Sequence, residues 1–397
     1  MYMRIMLWLC LAMFVLSCKE DDSPIVESME QEEEETTDDV SVITTVYQNY
    51  VDVDFDNLDS YTPILPQHYD AVADATNTPV DNPITDKGAT LGRILFYDKQ
   101  LSINNTVSCA SCHNQNNGFD DPDQFSTGFE GGLTAAHGMR LLNAQFYLGI
   151  NFFWDKRAEN LEAQTTQPIQ NEVEMGFDAA HGGFEALITK LNDLEYYPEL
   201  FELVYGDSNI TEERAQLAMA QFIRAMVSVN SSFDQGFAQV YQPGGQGNNI
   251  GATFPNYSDQ ENQGKALFLN PINQGGAACA GCHQPPSFAL NLDSRSNGLD
   301  FGEVTVFKSP SLKSAGTSLH FMHDGRFSSI SEVIEHYNSG IESGPALDVR
   351  LRNPADATLP LRLNLSDSEK LALEAFIFTL NDTSIMADAR FSDPFID

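Results

Sequence analysis

Apolar residues return at helical spacing over most of this 397-residue chain. From Thr211 to Val227, the residues Leu217, Met219, Phe222, Ile223 and Met226 mark one face of a predicted helix. Ser366-Asp367-Ser368-Glu369 has the form of a capping box, with Leu371, Leu373, Phe376, Ile377 and Leu380 behind it, and opens the last helix. A second such box, Ser329-Ile330-Ser331-Glu332, opens a helix that runs toward His336 and Tyr337. Strand-like alternation is short and scattered. Two stretches echo each other: Leu91-Gly92-Arg93-Ile94-Leu95-Phe96 and Gln263-Gly264-Lys265-Ala266-Leu267-Phe268 each end a short amphipathic helix before a loop. The pattern predicts a mainly α fold built from two related halves. Gln242-Pro243-Gly244-Gly245-Gln246-Gly247-Asn248-Asn249 has no apolar period and reads as turn. It puts a linker at about 235–257, between halves spanning 61–240 and 255–397.

The N-terminus changes the picture. Ile5 to Leu16 is almost wholly apolar, follows Arg4, and is too short to span a bilayer comfortably. With Ser17 before Cys18, residues 1–18 resemble a bacterial lipoprotein signal, which would leave Cys18 lipidated at the mature N-terminus. Ordinary cleavage near Ser17 is the alternative, and either predicts export to the periplasm. Residues 19–60 begin with a strongly acidic, aromatic-poor run through Glu32-Glu33-Glu34-Glu35 and read as a flexible tether. Contact with a membrane is thus expected only through a lipid anchor. The formal net charge of -36 is partly this tail, but acids outnumber bases beyond it too. Nucleic-acid binding, which needs a basic face, is excluded, while a basic redox partner could be steered to such a surface.

Chemistry enters with Cys109-Ala110-Ser111-Cys112-His113, which recurs as Cys279-Ala280-Gly281-Cys282-His283. The thiols of a Cys-x-x-Cys-His motif add to haem vinyl groups, and the histidine becomes an axial ligand to iron. A zinc site or a redox-active cysteine pair is the bland alternative. Of six cysteines, these motifs take four and the N-terminal segment holds Cys10 and Cys18, so none is left for a structural disulfide. Two cytochrome-c-like domains, each with one covalent haem c, are expected, with His113 and His283 as proximal ligands.

Further segments then fall into place. Phe153-Trp154-Asp155-Lys156-Arg157-Ala158, Leu161-Glu162-Ala163-Gln164 and Glu174-Met175-Gly176 resemble the first-domain signature of bacterial dihaem cytochrome c peroxidases. Phe307-Lys308-Ser309-Pro310-Ser311-Leu312 and Phe321-Met322-His323-Asp324-Gly325-Arg326-Phe327 resemble the second-domain signature. The similarity runs from about residue 80 to 382 and extends to MauG-like enzymes, which oxidise protein side chains. It implies a peroxidatic first haem and an electron-transfer second haem, with Trp154 between them. It also makes Glu174 the distal acid–base group and Gln164 a group that orients peroxide. A carboxylate reaching both oxygens of a peroxide can be base and then acid.

Two positions depart from the family pattern. Where many members place a distal histidine on the first haem, an ungapped count from His113 gives Phe129. His137, eight residues on, could fill that role in a shifted loop. His137 also falls where relatives carry a calcium-binding asparagine, with carbonyls near Ser318 and His320 completing the site. Nitrogen suits that hard ion poorly, so the resemblance admits one calcium ion without requiring it. At the second haem the usual sixth ligand is a methionine; here Tyr337 stands in its place, as in MauG-like relatives, with Met322 the alternative. The resemblance leaves three readings: a peroxidase reducing hydrogen peroxide with electrons from a monohaem cytochrome c or cupredoxin, a MauG-like oxidase of a protein or organic substrate, or a dihaem electron carrier. It also admits a homodimer.

Overall fold

The computed structural model describes residues 45–148, 151–290 and 293–396. The expected signal segment and the acidic run up to residue 44 lie outside the described residues. Nine helices carry the argument: α1 (Asp86–Tyr97), α2 (Leu161–Thr165), α3 (Gly183–Asn192), α4 (Tyr196–Tyr205), α5 (Glu212–Ala225), α6 (Ser232–Val240), α7 (Asp259–Leu269), α8 (Ile330–Glu335) and α9 (Asp367–Phe378). Among the described residues, β structure is limited to isolated bridges. The mainly helical prediction stands.

Local sequence explains where helices start. Thr211 accepts from the Arg214 amide to open α5, and Ser366 with Glu369 forms the expected box on α9. At α8, Ser329 accepts from the Glu332 amide, but the Glu332 carboxylate bonds the amide of Ser328 instead of that of Ser329. Past Glu335 the helix widens into a π turn, His336–Gly340, which carries Tyr337.

The internal repeat is a repeated helix crossing. A Cβ added to Gly92 on α1 would lie 2.1 Å from the Ala218 carbonyl oxygen and 2.9 Å from Phe222 Cβ on α5. A Cβ on Gly264 of α7 would lie 1.8 Å from the Ala372 carbonyl oxygen and 2.9 Å from Phe376 Cβ on α9. Both glycines let two helix backbones touch. Gly264→Ala should therefore cost about 1–3 kcal/mol through overpacking, read as a lower urea midpoint with helical circular dichroism retained. An unmoved midpoint would show that the crossing tolerates a methyl group.

The echo continues beyond the helices. Bridges Asn114↔Asp120 and Gln284↔Ala289 close the loops after the two Cys-x-x-Cys-His motifs, each around a phenylalanine with positive φ (Phe119 58°, Phe288 55°). Bridges Phe152↔Ala158 and Phe321↔Phe327 close a second pair of loops, where Phe153 (φ 68°) corresponds to Met322 (φ 74°) and Trp154 to His323. Bulky residues adopt this region only when their surroundings impose it.

Core membership departs from the predicted boundaries in two places. Helix α6, counted with residues 61–240, places Phe233 and Phe237 among Phe254 of the linker and Phe268 and Phe376 of the second half. Turn-rich composition marks where the chain changes direction, not which core a helix joins. Residues 45–60, counted with the tether, are packed: Tyr47, Val51 and Phe55 are buried against α1 and α4 residues. Their i, i+4, i+8 spacing forms an apolar stripe that the acidic run upstream lacks. The C-terminal segment returns to the same half, where Val51 pairs with Phe395 and Phe391 packs on Phe222.

Candidate functional site

The two motifs have the donor chemistry that haem attachment needs. All four cysteines are free of disulfides. Burial pushes the Cys109 and Cys279 thiols up to about 12 and those of Cys112 and Cys282 up to about 11. A redox-active pair usually shows the opposite shift, which disfavours that alternative. Among the described residues, no group of three or more His, Cys, Asp or Glu side chains is arranged to hold a metal ion, which disfavours a zinc site. Burial also lowers His113, and His283 to about 4, leaving neutral imidazoles suited to iron. His283 Nδ1 lies 3.1 Å from the Pro310 carbonyl oxygen, so this ring nitrogen carries the proton and Nε2 keeps its lone pair for a ligand bond.

Cys109, Cys112 and His113 line one cavity with Gln164 and Glu174. Gln164 comes from α2, whose first turn is capped by Asn160 Oδ1 accepting from Ala163 N at 2.7 Å. Glu174 sits in a tight turn in which Asn171 Oδ1 accepts from Val173 N (2.8 Å) and Glu174 N (3.1 Å). The Phe129 amide bonds the Glu174 carbonyl at 3.0 Å, and Gly128 passes so close that a Cβ there would lie 1.7 Å from the Val173 oxygen. The Asn171 side chain and the Phe129 amide thus hold the backbone at Glu174, while, among the described residues, no side chain pairs with the carboxyl. Burial raises its pKa, with Arg157 partly opposing.

Phe129 does not face this cavity; it is buried in the core beneath Gly176. His113 is the cavity's single histidine among the described residues. His137 lies elsewhere, with Nδ1 3.1 and 3.2 Å from the Asp123 and Gln124 carbonyl oxygens and Nε2 3.7 Å from Asp120. The shifted-loop role expected for His137 is therefore not what the geometry shows, because its loop is pinned through the His137 amide to the His323 carbonyl (2.9 Å).

The second cavity, of about 600 Å³, is lined by Cys279, Cys282, His283, Tyr337 and Met322, a size suited to a cofactor. Both candidate sixth ligands therefore reach the same space. Asn297, which no sequence motif singled out, lies between them. Its Nδ2 donates to Met322 Sδ at 3.2 Å, its backbone carbonyl oxygen lies 3.1 Å from His336 Nε2, and its side chain lies near the Tyr337 hydroxyl. His336 is thus held by backbone, whereas His323 lines the cavity stacked on Phe307 at 3.9 Å. Burial pushes the Tyr337 phenol far up, so only a bound cation would draw off its proton. Arg295 and Arg350 also line this space and could meet haem carboxylates. Arg350 is braced by Asp348 at 2.7 Å and the Gly281 carbonyl at 2.9 Å. The Asp348-Val349-Arg350 spacing was the one trace of Arg350 in the sequence.

Trp154 lines the second cavity, and its Nε1 donates to the His137 carbonyl at 2.8 Å. Through His137 it meets Asp120, which follows the first haem motif and binds Arg140 at 2.9 Å. Ser318, whose neighbourhood was expected to offer carbonyls to a calcium ion, bonds Arg140 and Asp120 through its hydroxyl.

Comparison with known proteins identifies the family. The family described as di-haem cytochrome c peroxidase matches residues 86–241. The methylamine utilization protein MauG of Methylophilus methylotrophus is 30% identical over 329 residues, covering 80% of this chain and 89% of that protein. Cytochrome c551 peroxidase of Nitrosomonas europaea is 28% identical, covering 62% of this chain and 71% of its own. Among solved structures, a MauG-like protein associated with microbial copper homeostasis aligns with a TM-score of 0.64 at 25% identity, over 83% of this chain and 98% of that one.

Proposed function

Because the chain belongs to the di-haem cytochrome c peroxidase and MauG family, we propose that it reduces hydrogen peroxide to water at the first site, with electrons delivered through the second. The observation that carries this reading is the half-buried Glu174 carboxyl, without a side-chain partner among the described residues and lining the cavity of Cys109, Cys112 and His113. A haem bound there supplies the one-electron chemistry and the place where peroxide binds. Glu174 takes a proton from one peroxide oxygen and returns it to the other, which leaves as water. Gln164 orients the peroxide. Trp154, hydrogen-bonded to His137 and lining the second cavity, carries electrons between the sites. Arg140 places a positive charge between Asp120 and Ser318, so this reading needs no calcium ion. Export, with an anchor at Cys18, places the protein in the periplasm beside a small redox protein such as a monohaem cytochrome c or a cupredoxin. Steady peroxide-dependent oxidation of such a reduced donor tests the reading, and its absence overturns it.

Tyr337 favours a second reading, a MauG-like oxidase that draws its electrons from a protein or organic substrate. An anionic oxygen ligand stabilises ferric iron, where methionine raises the potential. Tyr337→Phe should change the optical and EPR spectra of the second haem alone. An unchanged spectrum would assign the ligand position to Met322 or to no side chain.

A further inference from the structure

Near the first site, three tyrosines stack in a row that the chemistry above does not use. Tyr197 is fully buried on α4, in the same core cluster as Val107 and Met219, two residues that line the first cavity. Its ring lies 4.6 Å from that of Tyr196, which lies 4.6 Å from that of Tyr50. Tyr50 is 36% exposed. Each phenol has a carboxylate to take its proton: Asp98 Oδ2 accepts from Tyr197 at 2.7 Å and Tyr196 at 2.8 Å, and Glu195 accepts from Tyr50 at 2.7 Å. A purely apolar core would have served packing without burying Asp98 and two hydroxyls.

We propose that Tyr197, Tyr196 and Tyr50 carry oxidising equivalents from the first haem site to the surface, where Tyr50 is a second reaction site for small neutral or cationic phenols. This rests on the peroxidase reading, whose peroxide is the oxidant. Tyr197 gives one electron to the oxidised site and its proton to Asp98, becoming a neutral phenoxyl radical. Tyr196 then gives an electron to Tyr197, which regains its proton from Asp98 while Asp98 takes the one Tyr196 releases. Tyr50 next gives an electron to Tyr196, which regains its proton from Asp98, while the Tyr50 proton passes to Glu195. A phenol finally restores Tyr50 by giving it an electron while Glu195 returns the proton; the phenol releases its own proton to solvent, and the first site takes up one proton from solvent for each electron it receives. Two phenols are oxidised for each peroxide, and two waters form. Glu195 at the mouth, and Glu199 bonded to the neighbouring Tyr47 amide, make the entrance acidic and disfavour anionic donors.

The test treats the holoprotein with peroxide without a donor, freeze-quenches it for EPR, and maps nitroso spin-trap adducts by peptide mass spectrometry. A tyrosyl radical with the adduct on Tyr50 is expected. Tyr50→Phe, which keeps the ring and loses one exposed hydroxyl, should lose that adduct and slow guaiacol oxidation by about tenfold. Oxidation of a reduced cytochrome c should be unchanged. Tyr196→Phe should also lose the adduct at Tyr50, although Tyr50 itself is intact. If peroxide is consumed and Tyr50 stays unmodified, or if Tyr50→Phe oxidises guaiacol at the wild-type rate, the relay is wrong and the peroxidase reading stands. If the wild-type holoprotein consumes no peroxide, both fall.

Discussion

Glu174→Gln should slow the reaction with hydrogen peroxide by about 10²- to 10⁴-fold, the usual weight of a positioned acid–base group. Gln keeps the shape and a hydrogen-bonding carbonyl but cannot accept and return a proton at neutral pH. The turn that holds residue 174 uses the Asn171 side chain and the backbone of Phe129, so the substitution leaves it intact. Haem content should match wild type, which separates a chemical loss from a folding loss. The pH profile gives an independent readout. Burial raises the Glu174 pKa, so the carboxylate needed as base is lost at a higher pH than for an exposed glutamate. The wild-type rate should therefore fall with acidification through that raised pKa, while the Gln variant stays flat across the same range. A Gln variant as fast as wild type would remove Glu174 from the mechanism.

What could be read from the sequence depended on how far apart the cooperating residues lie. Cys109, Cys112 and His113 are legible because covalent haem attachment needs them within five positions, and the same holds for Cys279, Cys282 and His283. The Gly92 and Gly264 echo was visible as a repeat, but its cause, two helix backbones in contact, appears only once Ala218 and Ala372 are in place. Tyr337 and Met322 were both expected at the second haem and both line its cavity. Asn297, which bonds Met322 and lies near Tyr337, was invisible because a lone asparagine among polar neighbours has no periodic or motif signature. The placement of His137 also failed to show, since it depends on backbone pairing with His323, nearly two hundred positions away. Residues 45–60 were misassigned for a different reason. Their acids masked three apolar side chains spaced along one face, a weak signal beside a run of glutamates.

The largest stability effect is expected at Lys313, a buried cation one residue past the Phe307–Leu312 segment. Its side chain is 0% exposed and its Nζ lies 2.5 Å from Asp234 Oδ2, itself 2% exposed. Asp234 also accepts from Ser231 N at 2.8 Å and from the Tyr69 hydroxyl at 3.2 Å, and lies 3.4 Å from His68 Nε2. The pair therefore ties the turn after Pro310 to α6 and to the His68–Tyr69 turn, three parts of the chain that meet near the second cavity. Burial alone would raise the Asp234 carboxyl, but Lys313, His68 and Ser231 outweigh it and hold the pKa at about 2. A carboxylate held below its unfolded value, about 3.9, adds stability above that value and loses it as pH falls through the folded pKa. Acid should accordingly weaken the wild-type fold between about pH 4 and pH 2, the window set by those two values. Lys313→Met leaves Asp234 buried without its cation and should cost about 3–5 kcal/mol at neutral pH. Joining it to Asp234→Leu should restore part of that loss, because no unpaired charge remains. Urea midpoints of the three variants decide the matter. A single variant that costs less than about 1 kcal/mol would mean the ion pair barely repays its own desolvation, and that the hydrophobic rings of Tyr69, Phe233 and Phe288 hold this junction by themselves.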